Sequence, residues 1–231
     1  MAVMEVDVGE AIGTILPMAV GVALSPVPII AVVLMLGTPK ARSNGPAFLV
    51  GWLAGLLVVG TIVLLLTGGA ASEQGEPATW VSVVKIVLGV LLLLVALRMW
   101  RGRPAPGEQT EVPKWMHAID SFTPVRAAGA GFLLSGVNPK NLVLTLAAAA
   151  AIAATGADMA DQFIALVVFA IIATIGPGLP VAVYFLMGDR APKLLGQLKT
   201  WLGVNNTVIM VVLCAVIAAK LVGDGITGLT L

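Results

Sequence analysis

Apolar residues gather in six long blocks along the chain, parted by short polar stretches. The blocks run Ala11 to Gly37, Ala47 to Thr67, Val81 to Trp100, Ala127 to Ala154, Gln162 to Met187 and Leu202 to Val222. An apolar run of about 20 residues is what a helix needs to cross the hydrocarbon core of a bilayer. The pattern therefore predicts six spanning helices. The first, fourth and fifth are longer than a straight span requires, and each carries proline near its middle.

The polar stretches between the blocks predict an orientation. Lys40 and Arg42 follow the first block, Arg101, Arg103, Lys114 and Arg126 follow the third, and Arg190, Lys193 and Lys199 follow the fifth. The opposite side carries Glu5, Asp7 and Glu10, then Glu73 and Glu76, then Asp158 and Asp161. Basic loops stay in the cytoplasm, so both termini are expected outside. Trp100 and Trp201 fall at inner edges and Trp80 at an outer edge, where aromatic belts form. The acidic start lacks the basic region of a secretory signal, which marks the first block as a retained span.

Composition agrees. The chain is 59% hydrophobic and 11% charged, against about half and about a quarter in soluble domains. The net charge of +1 gives no reason to expect a nucleic-acid partner. Cys214 is the only cysteine and His117 the only histidine, so a disulfide and a multi-histidine metal site are both excluded. With no recognisable nucleophile or metal motif, the chain reads as a non-enzyme without a cofactor.

Two groups of three blocks flank the longest loop, Arg101 to Val125. Three is odd, so the groups must have opposite topology. Residues 1–100 read as a first three-helix repeat, 101–126 as a cytoplasmic linker and 127–231 as a second repeat. Trp115, Ile119 and Phe122 of the linker share helical spacing and predict a short amphipathic helix on the inner membrane face. The first block holds Gly21-Val22-Ala23-Leu24-Ser25-Pro26-Val27-Pro28, and the fourth holds Gly131-Phe132-Leu133-Leu134-Ser135-Gly136-Val137-Asn138-Pro139. Interrupted helices at matching places in two halves point to an inverted-repeat transporter with its site near the midplane.

The chemistry of those breaks is specific. Proline frees the carbonyl four residues earlier, which predicts release at Val22, Leu24 and Ser135. A half-helix starting after each break offers unpaired N–H groups to an anion. Ser25, Pro26, Pro28, Ser135, Asn138, Pro139, Lys140 and Asn141 are the expected substrate-binding set, with Lys140 supplying a full charge. Its stem reaches roughly 6 Å, while the midplane lies about 15 Å from either interface, so snorkelling does not account for it. Lys85, near Trp80, is expected to snorkel. Gly176, Pro177, Gly178 and Pro180 in the fifth block form a hinge candidate, with a plain kink as the alternative. No acidic residue lies near the centre of a block, which disfavours a cationic substrate.

These stretches resemble the LysE superfamily of exporters. Leu24-Ser25-Pro26-Val27-Pro28-Ile29-Ile30, then Gly37 to Phe48, and Gly136-Val137-Asn138-Pro139-Lys140-Asn141-Leu142 look more closely like its GAP branch, the glycolipid- and sulfolipid-addressing proteins of actinobacteria. The resemblance implies a six-helix, LysE-like fold of two inverted repeats with helices one and four broken. It also implies a multi-pass protein of the bacterial plasma membrane that helps deliver cell-envelope glycolipids toward the surface. The superfamily's thiol-redox branch uses a cysteine in spans one and four, and its metal exporters use intramembrane acids; this chain has neither. Three readings stand: a lipid exporter that binds an anionic or sugar head group, an exporter of a small solute such as an amino acid or inorganic anion, and a scaffold for larger lipid-export machinery. The Gly51-Trp52-Leu53-Ala54-Gly55 motif permits close packing, either within the chain or in a homodimer.

Overall fold

The computed structural model describes residues 8–67, 79–103 and 114–230, and all regular structure there is helical. The acidic N-terminal residues Glu5 and Asp7, the loop acids Glu73 and Glu76, and the side chains of Glu10, Trp80, Trp115 and His117 lie outside the described set. Eight α-helices follow in order: α1 (Val8–Ala23), α2 (Pro26–Leu36), α3 (Ala41–Thr67), α4 (Thr79–Arg101), α5 (Pro124–Gly136), α6 (Pro139–Ala153), α7 (Met159–Met187) and α8 (Ala191–Thr230). A 3₁₀ helix, Lys114–Ser121, precedes α5, and a turn at Gly188–Arg190 joins α7 to α8.

The first block is broken where its prolines stand. α1 ends at Ala23, α2 begins at Pro26, and the two axes bend by 51°. The fourth block breaks between Gly136 and Pro139, dividing α5 from α6. Each second half-helix opens with proline at its first position, where the missing N–H costs nothing. Ala41–Leu66, Val81–Arg101 and Met159–Thr230 are long and apolar enough to cross a membrane, and the bent α1–α2 pair makes a fourth such stretch. Met159–Thr230 contains both α7 and α8, which part at Gly188 with its φ of +51°.

Hydropathy and helix limits differ at two places. α3 starts at Ala41, six residues before its apolar block, and runs through Pro46. α8 extends over 40 residues, well beyond Leu202 to Val222; its last stretch, rich in glycine, is a poor helix former on its own and lies against α4, where Gly225 and Gly228 meet Ser82. α7 runs unbroken through Pro177 and Pro180, both buried. Neighbouring helices can hold such a segment together despite the lost backbone bonds.

Close approach at glycine sets the packing. A Cβ at Gly51 would fall 1.8 Å from the Ala128 carbonyl oxygen, and one at Gly55 would meet Ser135 Oγ at 2.1 Å. The GxxxG face of α3 is thus taken by α5 of the same chain, which removes it as a dimer surface. Gly176 of α7 lies equally close to α1, 1.8 Å from the Ala23 carbonyl oxygen by the same construction. α4 packs lengthwise on α8 through small residues, with Gly89, Gly225 and Gly228 at the contact. The linker departs from expectation. Its helix is 3₁₀, Ile119 is buried in the protein core, and Asn44 Nδ2 of α3 donates to the Phe122 carbonyl at 3.1 Å. Ile119 packs into the protein core, and its helix meets α2.

Candidate functional site: two helix breaks joined by one half-helix

The breaks expose backbone groups that side chains from α6 then satisfy. A helix leaves its last four carbonyls without intrahelical donors. At the end of α1, Lys140 Nζ donates to the Gly21 carbonyl at 2.6 Å. At the end of α5, Asn141 Nδ2 donates to the Leu134 carbonyl at 2.9 Å. Asn138 N takes Leu133 O as its acceptor, so Leu134 O is left for the side chain. The carbonyls held are therefore Gly21 and Leu134, and not the Val22, Leu24 and Ser135 groups expected from the prolines. Side-chain reach, together with the loss of helical geometry at the ends, decides which orphan is met.

Ser25 joins the two breaks. Its Oγ donates to Asn141 Oδ1 at 2.9 Å, across 116 positions of sequence. Asn141 thus accepts from one break and donates to the other, and Thr145 Oγ1 bonds its backbone carbonyl at 2.8 Å. Ser25, Ser135, Lys140, Asn141 and Thr145 are all at most 2% exposed. Pro26 and Pro28 are buried in the first turn of α2. Asn138 caps α6 by accepting from Lys140 N at 3.2 Å. The break at α5–α6 does reach the outside: Val137 is 57% exposed and Pro139 is also exposed.

The match between breaks differs from the Gly-x-x-x-Ser reading. Ser25 is the residue immediately before proline and stands at the N-cap position of α2, without a side-chain cap bond, so its positional counterpart is Asn138. Ser135 sits one residue from the end of α5, and its Oγ turns back to the Phe132 carbonyl at 3.1 Å. It faces α3 at Gly55, not the Ser25–Asn141 contact.

Lys140 has no carboxylate partner among the described residues, where the one ion pair is Lys220–Asp224 within α8. Its charge lies at the negative end of the α1 dipole instead. Cys214 of α8 is buried and within electrostatic range of Lys140. Lys85 is half-buried on α4, within electrostatic range of Asp224 and Lys220 of α8. The hinge candidates do not join the polar centre. Gly176 nevertheless abuts α1 two residues before Ser25, and so packs against the first break from behind.

One surface hollow, about 680 Å³, runs along α8 beside Lys193, Gln197 and Trp201, away from the breaks. The breaks themselves are closed by their own hydrogen bonds. Sequence reading passed over two residues of α3. Asn44 and Trp52 are both fully buried, and Asn44 Oδ1 and Trp52 Nε1 lack hydrogen-bond partners. Eight-residue spacing on one helix was the signal available for them.

Fold and site together define a helical membrane protein whose polar centre is made from interrupted helices. The family described as "Sap, sulfolipid-1-addressing protein" matches residues 15–227, and the chain belongs to that family. This agrees with the resemblance read from the two break motifs. No curated protein and no solved structure matches the chain.

Proposed function

We propose that the chain moves a cell-envelope lipid with an anionic or sugar head group across the bacterial plasma membrane, by alternating access between two inverted repeats. The head group enters between the breaks while the acyl chains stay in the bilayer. Lys140 takes the charge, and Ser25, Asn138 and Asn141 take hydroxyl or ester oxygens. One observation carries this reading: a buried lysine whose only acceptor is a backbone carbonyl 2.6 Å away, with no acid to neutralise it among the described residues. An incoming anion is a better partner than a carbonyl, because a fully charged pair in low dielectric is stronger than a charge–dipole contact.

Two further features support it. Val137 and Pro139 are exposed, so the α5–α6 break reaches the protein surface, as lateral entry of a head group needs. Several packing partners also exchange when the halves are exchanged: α3 packs on α5 as α7 packs on α1, and α2 meets α8 as α6 meets α4, although α1 packs on α6 with no comparable α5–α2 packing among the described residues. Such correspondence is in keeping with two repeats. The family description, a protein that addresses a sulfolipid, is in keeping with a sulfated head group.

The test is movement of a labelled sulfated glycolipid between leaflets of proteoliposomes. The wild type should move it, and Lys140→Met should not. Equal movement by the two proteins would remove Lys140 from the site. Movement only after another envelope protein is added would favour the scaffold reading.

A further inference from the structure

We infer that the hollow along the start of α8 binds an anionic phospholipid of the cytoplasmic leaflet, held by Lys193, Gln197 and Trp201. This site is separate from the breaks. It rests on the membrane reading and on the orientation expected from the basic loops, and not on the transport of a glycolipid.

α8 is 40 residues long, about twice what a span needs. Its apolar block starts at Leu202, so residues 191–201 form a stretch ahead of the span. The two sides of that stretch differ. Ala191, Leu195 and Leu202 share one face and are buried against the protein. Lys193, Gln197, Trp201 and Val204 share the opposite face and are exposed. α4 does not cover them. It runs antiparallel to α8, with Gly89 against Ala218 and Val222, and Ser82 against Gly225 and Gly228. On that register α4, ending at Arg101, stops roughly level with Val208, and about four turns of α8 project past it.

The hollow on this face has room and is open. It measures about 680 Å³ and changes character along its length. Lys193 and Gln197 line the end ahead of the apolar block, while Val204 lines the end inside it and Trp201 stands at the border. From Lys193 to Val204 the helix rises roughly 16 Å. The interfacial layer of a bilayer is about 5–7 Å deep on each side, so the groove crosses it completely. A water-soluble anion uses only the first end of such a groove, and an acyl chain only the second. An amphiphile uses both.

Charge selects the amphiphile. No acid lies between Asp189 and Asp224, whereas Arg190, Lys193 and Lys199 all fall in that interval. The polar end is therefore positive, without a competing carboxylate on its own helix. A phosphate diester suits the Lys193 ammonium as a point-charge partner, with the Gln197 amide as a second donor. Trp201 at the border offers an indole N–H to an ester carbonyl and its ring to the first acyl carbons. Thr200 and Asn205 turn donors to their own helix, to the Gly196 carbonyl at 3.0 Å and the Trp201 carbonyl at 2.8 Å. Their oxygens remain to accept from head-group hydroxyls, which a glycerol head group has.

The experiment uses the purified full chain in detergent. Phosphatidylglycerol and phosphatidylcholine with identical acyl chains are titrated in, and bound lipid is counted by native mass spectrometry. The wild type should hold one phosphatidylglycerol several-fold more tightly than phosphatidylcholine; equal affinity would overturn the inference. Lys193→Gln should lower that preference by about fivefold, the worth of one cation beside an anionic lipid. Lys199→Gln removes the same charge from the same helix outside the hollow, and should lower it by less than about twofold. Equal losses in these two variants would reduce the effect to surface potential and remove the site. Trp201→Ala should weaken both lipids and keep the preference; unchanged affinity in that variant would take Trp201, and with it the lipid, out of the hollow. Lys193, Lys199 and Trp201 are exposed, so the variants should unfold at the wild-type temperature. Displacement of the lipid by inorganic phosphate at equal concentration would mark a free-anion site and overturn the lipid assignment. Lys140→Met should bind phosphatidylglycerol as the wild type does. Loss of binding in Lys140→Met would put the phospholipid at the breaks and strike this site. Failure of glycolipid movement in wild-type proteoliposomes leaves the binding result standing, so the two readings fail separately.

Discussion

Replacing Lys140 by methionine separates a binding role from a structural one. The substitution preserves length and bulk and removes the charge. Lys140 is 2% exposed and has one side-chain bond, to the Gly21 carbonyl at 2.6 Å. Its burial costs several kcal/mol even after relaxation. A hydrogen bond from a charged donor returns about 1.5–3 kcal/mol, and the dipole of α1 returns up to about 2 kcal/mol. Methionine gives up those returns, leaves the Gly21 carbonyl open at about 1 kcal/mol or more, and escapes the desolvation cost. The terms nearly cancel, so stability should change by no more than about 2 kcal/mol in either direction. For a chain of this size that is a shift in Tm of at most about 8 °C. Cys214, the single cysteine and 1% exposed, provides the readout: a thiol-reactive dye reports unfolding as the thiol comes free. Glycolipid movement in proteoliposomes is measured on the same preparation. Near-normal unfolding with lost movement is the expected pair. A protein that unfolds far below the wild type yet still moves lipid would show that Lys140 is a helix staple and nothing more. Alanine is a poorer choice, because a cavity would add about 2–5 kcal/mol of its own.

Asn141→Leu removes the bonds to Ser25 and Leu134 together and should destabilise by about 2–4 kcal/mol, whereas Ser25→Ala should cost about 1 kcal/mol. The double variant should cost little more than Asn141→Leu alone, as thermal melts of all three would show. Gly176→Ala drives a methyl into the Ala23 carbonyl, which is backbone and cannot rotate away, so a loss of about 3 kcal/mol or more is expected by the same melts. Asp224→Asn breaks the Lys220 ion pair on a partly exposed stretch of α8 and should change stability by no more than about 0.5 kcal/mol.

The breaks were legible because they rest on local chemistry. Proline after a small polar residue ends a helix wherever it stands in an apolar run, and Ser25-Pro26 and Asn138-Pro139 did so. Lys140 was legible because a charge in such a run has few explanations. Its acceptor was not, since Gly21 lies 119 positions away and nothing in the sequence distinguishes its carbonyl from its neighbours. Pro177 and Pro180 carry the same local signal as Pro26, yet α7 continues through them while it packs against α1. In the linker, periodicity marks Ile119 as facing something apolar, but cannot say that protein core is what it meets.

The glycine contacts have a mechanical meaning. Where Gly51 meets α5, and where Gly176 meets α1, backbone lies against backbone with no side chain between. Such surfaces have no soft layer in which to slip, so each pair travels as one piece or comes apart. Each close-packed pair takes one helix from either half of the chain, α1 with α7 and α5 with α3, so alternating access would have to carry a helix of one repeat along with the other. Ser25 lies at the edge of one pair and Ser135 is clamped in the other, with α6 carrying side-chain bonds to both. A deletion or tag that spares either half of the chain but cuts its partner would leave two half-bodies, each missing its counterpart.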